Sequence, residues 1–213
     1  DSSTSRGLGD VYKRQLEGSV FIAGAVVQWL RDQMGIISSA PEIEVLAKTV
    51  ENNGGVTFIP ALSGLGAPYW DPHATGTILG ITRGTQKGHI ARAALEAIAM
   101  RTREIIIEMQ KDANTTFESL KVDGGGSTND LLMQIQSNLL QTKVIRPKTT
   151  ETTALGAAFF AGLASGYWPS LESLASIWKI DKKFNPVQEI ENQKIIESWQ
   201  KRIVQVTNTN KNE

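Results

Sequence analysis

The chain has 213 residues, with 22 Lys and Arg balancing 22 Asp and Glu, two His and no Cys. Neutrality argues against a general nucleic-acid binder, which carries a basic excess, and the lack of cysteine excludes a disulfide frame, a thiolate nucleophile and a Cys-built zinc site. The length suits one large domain or two small ones with a real core, and a hydrophobic content of 40% marks a globular chain rather than a disordered one.

Residues 1–15, DSSTSRGLGDVYKRQ, are polar, rich in Gly and Ser, and without periodicity. They are expected to be a non-native or disordered leader outside the fold. Residues 16–23 are apolar and partly β-branched, the pattern of a strand, and Gly24 then opens a helix through Gln28, Trp29 and Leu30. The longest apolar run, 20–27, falls well short of the roughly 20 residues a membrane helix needs, and no signal-peptide pattern precedes it. A cytoplasmic protein without a membrane partner is expected.

A second helix is predicted over 41–50, then a turn at Asn52-Asn53-Gly54-Gly55, a short strand over 56–59 ended by Pro60, and a Gly- and Pro-rich loop over 63–76. Another strand is predicted over 77–82. Ile90, Ala94, Ile98, Thr102, Ile105 and Met109 recur at three and four and predict a long helix over 87–111, with Arg92, Arg103, Glu104 and Glu108 mostly off that stripe. Short strands are expected over 120–123 and 144–146, and helices over 129–141, 153–165, 171–177 and 192–206. Residues 207–213 are expected to fray. Strands alternating with helices indicate an α/β fold with a parallel-containing sheet, forming one folding unit over 16–206.

The segment Val122-Asp123-Gly124-Gly125-Gly126-Ser127-Thr128-Asn129 ends a strand, adds three glycines, and opens a helix with hydroxyl and amide residues. Glycines leave bare backbone against which a ligand can lie. A helix N-terminus offers N–H groups, and Ser127, Thr128 or Asn129 can cap it. This is either a nucleotide-binding turn at a strand's carboxyl end or simply a tight strand-to-helix turn. It is neither a Walker A loop nor GxGxxG.

In EGSVFIAGAVVQ, Gly24 and Gln28 lie one helical turn apart. Taken alone they read more readily as close packing plus a surface glutamine than as a pair receiving an adenine ring. Asp71, before Pro72, reads as a turn former. The small residues Ala154, Gly156, Ala158, Ala161 and Gly162 read as tight helix packing. Arg83 and Arg101 read as ion-pair partners rather than phosphate ligands. His73 and His89 lack any HExxH or Cys partner, so no metal site is expected.

Taken together and in order, LEGSVFIAGAVVQWLRD, FIPALSGLGAPYWDPHATGTILGITRG, VDGGGSTNDLLMQIQSNLLQTKVIRP and TALGAAFFAGLASGYW resemble the FGGY carbohydrate kinase family. The match runs from Leu16 to Val206. SGLGAPYWDP and LLMQIQSNLL look more like members acting on glycerol than those acting on pentuloses or hexuloses. The resemblance implies the C-terminal domain of an actin-like, ribonuclease-H-like ATPase fold, incomplete and lacking its N-terminal hairpin. It implies transfer of the ATP γ-phosphoryl group to glycerol with Mg2+, and homo-oligomers of the full-length protein.

The family's adenine-binding positions fall on Gly24, Gln28, Gly125 and Asn129. Its catalytic base belongs to a Gly-Asp-Gln segment that this sequence does not contain. Its phosphate loops, most glycerol contacts and most Mg2+ ligands are expected outside this chain, so no catalytic residue is expected here and the chain alone is expected to be inactive. The alternatives are a family member resembling xylulokinase or gluconokinase, and a non-catalytic nucleotide-binding module of the actin-like fold. The latter leaves SGLGAPYWDP unexplained.

Overall fold

The computed structural model describes residues 16–188 and 190–208. The expectations for 1–15 and for 209–213 therefore lie outside the described residues.

The fold is organised around one long helix, α3 (Lys87–Ala113). Alanines at 91, 93, 94, 97 and 99 keep it slim, so neighbours close in on every side and nearly every residue from Ala91 to Arg101 is buried. The single apolar stripe of the sequence is thus part of an enclosed helix. Glu96 and Arg101, which that pattern leaves off the apolar face, are buried and paired. The helix starts with a reciprocal cap in which His89 Nδ1 accepts from the Gln86 amide at 2.9 Å. It ends at Asn114, whose φ of 47° is the left-handed stop that asparagine tolerates.

Two short helices, α1 (Gly24–Asp32) and α2 (Glu42–Ala47), pack on α3. Gly88 allows the α2–α3 approach, because a Cβ there would lie 2.5 Å from Thr49 Oγ1. Residues 16–23 form no strand. A strand needs a ladder partner, and none of the paired strands reaches this segment.

The strands form two small sheets rather than one. β1 (Thr57–Ile59) and β2 (Thr77–Leu79) pair antiparallel, with Phe58 opposite Ile78. The loop between them is pinned where Leu65 and Asp71 exchange backbone hydrogen bonds of 2.7 and 2.9 Å. Asp71 Oδ1 accepts from the amides of His73 and Ala74, both at 3.0 Å, which makes it the expected turn former.

The second sheet has the order β3 (Ser119–Lys121), β4 (Lys143–Pro147), β5 (Ile180–Phe184). β3 and β4 are parallel, connected through α4 (Asp130–Leu140), while β5 runs antiparallel on the outer edge. The sequence reading missed β5. Its residues IDKKF expose all but Phe184, and a lysine-bearing edge strand shows no alternating apolar signal.

The last helix, α7 (Ile190–Asn208), buries Ile195, Trp199, Ile203 and Val206 against β1, α3 and α4. It remains helical through 207 and 208, beyond the expected fraying point. Glu104, on α3, knots three elements together. Its carboxylate accepts from Tyr69 Oη in the long loop, from Trp199 Nε1 in α7 at 2.7 Å, and from Arg101 Nη1. Arg101 Nη2 also donates to the Ala67 carbonyl at 2.8 Å, so Arg101 is an ion-pair partner, as expected. Burial, with the Glu104 carboxylate beside it, pushes the Tyr69 phenol well above its ordinary pKa.

One packing expectation fails. No residue of α5 (Thr152–Ala164) is buried, so its small residues do not serve close packing against another described element. The close approach at Gly162 is to Trp168 just beyond the helix's own end, where Phe159 also meets Trp168 edge-on at 5.2 Å. A short helix, α6 (Leu171–Ala175), follows, with Ser170 as its cap. Among the described residues no helix is long and apolar enough to cross a membrane.

Candidate functional site

The strand–turn–helix segment builds one wall of a cavity of about 590 Å³, bounded opposite by α1 and α2 and beneath by α3. That volume suits a nucleotide-sized ligand. Gly24, Gln28, Gly125 and Asn129 all line it. The floor is apolar, from Val27, Ile43, Leu95, Ile98, Leu132 and Met133. Such a floor suits the flat face of a heteroaromatic ring. A second groove, about 580 Å³ between Leu79–Gly80 and α7, contains none of the sequence candidates.

The turn's geometry follows from its composition. Gly124 has φ +72°, which permits the reversal after Asp123. Gly125–Thr128 then makes one turn of 3-10 helix. Ser127 Oγ donates to the Gly124 carbonyl and Thr128 Oγ1 to the Gly125 carbonyl, both at 2.7 Å. Asn129 is the N-cap of α4, its Oδ1 accepting from the Leu132 amide at 2.8 Å.

The helix N-terminus is therefore largely satisfied from within the chain. Leu131 N–H donates to Glu44 Oε1 at 3.2 Å, from α2 across the cavity. This revises the expectation that those N–H groups wait for a ligand. What the turn presents instead is the backbone of Gly125 and Gly126, whose amides have no acceptor among the described residues. A Cβ added at Gly24, Gly125 or Gly126 would meet nothing within 4 Å.

Arg146 of β4 holds this turn from below. Its Nη1 donates to the Ser127 carbonyl and to Asp130 Oδ1, both at 2.8 Å, and its Nε to Asp181 at 2.8 Å. Hydrogen bonds from Lys182 and Arg146 keep the Asp130 carboxyl below its ordinary pKa. A carboxyl so depressed adds stability that is complete above its unfolded pKa and is lost as pH falls through the folded one. Melting temperatures of the native chain and of Asp130→Asn are therefore expected to differ at neutral pH and to converge below the carboxylate range. A constant difference at every pH would remove this role.

Sequence reasoning missed Glu44. Paired with Lys48 four residues on at 2.5 Å, it reads as an ordinary surface ion pair. Only the fold brings it into the cavity. Arg83 is exposed. No group of three or more His, Asp or Glu that could hold a metal ion exists among the described residues. These residues do not by themselves make a magnesium site.

The sequence pattern of the FGGY family of carbohydrate kinases, C-terminal domain, matches residues 8–165. A glycerol kinase of Deinococcus radiodurans is 58% identical over 189 residues, which is 88% of this chain and 38% of that protein. The glycerol kinase of Plasmodium falciparum, solved with ADP, superposes with a TM-score of 0.80 at 35% identity, covering 89% of this chain and 38% of that one. A ligand-bound xylulose kinase of Lactobacillus acidophilus superposes with a TM-score of 0.67 at 27% identity, covering 85% of this chain and 36% of that one. The chain thus spans 38% of the length of the glycerol kinases it matches.

Proposed function

The chain belongs to the FGGY family of carbohydrate kinases, with the actin-like, ribonuclease-H-like fold of that family's C-terminal domain, and from that premise we propose that its cavity holds the adenosine part of ATP or ADP. Gly24 and Gly125 leave bare backbone on opposite walls, and Gln28 and Asn129 supply amides. The observation that carries this reading is their meeting around one apolar-floored cavity from segments about a hundred residues apart in sequence. The Plasmodium falciparum relative solved with ADP supports it.

The protein's reaction is transfer of the ATP γ-phosphoryl group to glycerol, giving sn-glycerol 3-phosphate and ADP. Identity of 58% to a bacterial glycerol kinase, and of 35% to the Plasmodium falciparum glycerol kinase against 27% to the xylulose kinase, supports glycerol as acceptor. Phosphoryl transfer requires a positioned hydroxyl, a base and groups neutralising the phosphates. This chain supplies the adenosine side of that arrangement, and by itself it is inactive.

Titration calorimetry with ADP tests the reading. The native chain is expected to bind ADP, and Gln28→Ala, at an exposed position, to weaken binding about tenfold with an unchanged melt. Absence of ADP binding at millimolar concentration overturns the site. Glycerol-dependent ADP release by the 213-residue chain above a trace rate overturns the inactivity.

A further inference from the structure

Most polar groups in the cavity are already committed inside the chain. Ser127, Thr128 and Thr102 each donate to a backbone carbonyl, and Gln136 Nε2 donates to the Ala99 carbonyl. Two groups that meet at the first turn of α4, its N-cap Asn129 and Glu44 of α2, each keep one side without a partner among the described residues. Asn129 spends its Oδ1 on the Leu132 amide, so what it offers is the Nδ2 donor. Glu44 spends its Oε1 on the adjacent Leu131 amide and on Lys48, so what it offers is the Oε2 acceptor. Because Leu131 and Leu132 are consecutive, the Glu44 carboxylate and the Asn129 carboxamide are held next to each other where α2 meets the start of α4, and both residues line the cavity.

We propose that Glu44 is a base-selecting residue, its free carboxylate oxygen accepting the exocyclic amine of adenine while Asn129 Nδ2 donates to the neighbouring ring nitrogen. The proposal rests on the nucleotide reading of the cavity given above. Adenine presents an acceptor at N1 beside a donor at N6, the complement of this pair. Guanine and hypoxanthine present the reverse, N1–H beside the O6 carbonyl, and would set a carbonyl against a carboxylate. A carboxylate cannot turn to donate, whereas a carboxamide can, which makes a charged acceptor a stricter reader than glutamine at this position.

The test compares ADP with inosine diphosphate, by calorimetry on the native chain and on Glu44→Gln. The glutamine keeps an acceptor for the Leu131 amide and can present its NH2 to O6. Native protein is expected to favour ADP by about tenfold or more, and Glu44→Gln to reduce that preference at least about fivefold.

Equal affinities in the native chain, or a preference unchanged in the variant, overturn the proposal while leaving the nucleotide site intact. A variant that weakens both ligands equally shows a purely structural role and also overturns it. Failure of ADP to bind the native chain overturns the cavity reading and this proposal with it. Should the variant fail to fold, the native chain decides: purine riboside diphosphate, which lacks only the amine, is expected to bind about fivefold or more weaker than ADP, and equal binding refutes the contact.

Discussion

Glu104→Ala is expected to destabilise the chain by about 3–5 kcal/mol, the cost of removing one partner from a buried ion pair. Arg101 is 3% exposed, so its guanidinium would stay behind as an uncompensated cation, with the Ala67 carbonyl as its remaining acceptor among the described residues. Tyr69 Oη and Trp199 Nε1 would lose their acceptor in the same step, and each orphaned group adds a desolvation penalty. For a chain of this size the loss corresponds to a melting temperature lower by roughly 10 °C or more.

Glu104→Gln can keep its carbonyl oxygen for both Tyr69 and Trp199, which share Oε1, but then sets an NH2 donor against Arg101 where Oε2 accepted. The charge and the Arg101 acceptor are lost while the other two bonds survive, so a cost of about 2–4 kcal/mol, smaller than that of alanine, is expected. Denaturant unfolding of the three proteins measures both. A loss below about 1 kcal/mol for Glu104→Ala would mean that the long loop, α3 and α7 are joined by apolar packing alone.

That network shows what a single sequence conceals. Helical periodicity found α3, but it sorted residues into an apolar face and a polar face. Glu96, Arg101 and Glu104 sit off the apolar stripe and are still drawn inward, because their partners come from Asn53, Ala67, Tyr69 and Trp199. No local pattern announces contacts 34 to 95 residues apart. β5 escaped for the opposite reason, since its identity as a strand lies in backbone pairing with β4 and hardly at all in its side chains.

The turn that forms this side of the cavity was legible because its chemistry is local: strand, three glycines, 3-10 turn and capping asparagine follow one another along the chain. Gly24 and Gln28 gained meaning only through the resemblance, since a glycine and a glutamine one turn apart fit many helices. Glu44 had no such signal, since only the meeting of α2 with the start of α4 brings it into the cavity.

Gly125→Ala is expected to separate folding from binding. Gly125 is not among the glycines with positive φ, and an added Cβ would meet nothing within 4 Å. Alanine should therefore be neutral or stabilise the chain by about 0.4–1 kcal/mol, by narrowing the unfolded ensemble. Neither backbone conformation nor internal packing requires glycine there. In the proposed site the requirement comes from the ligand, which occupies the space a methyl group would take against the exposed backbone of the turn.

ADP affinity is accordingly expected to fall at least about tenfold, or 1.4 kcal/mol, with an unchanged or slightly higher melt. Gly124→Ala is the contrasting case. Its φ of +72° disfavours any Cβ, so that variant should lose about 1 kcal/mol or more of stability before any ligand is added. Thermal melts with and without ADP distinguish the two. If Gly125→Ala binds ADP as the native chain does, the ligand does not lie against this turn and the proposed orientation of the adenosine fails.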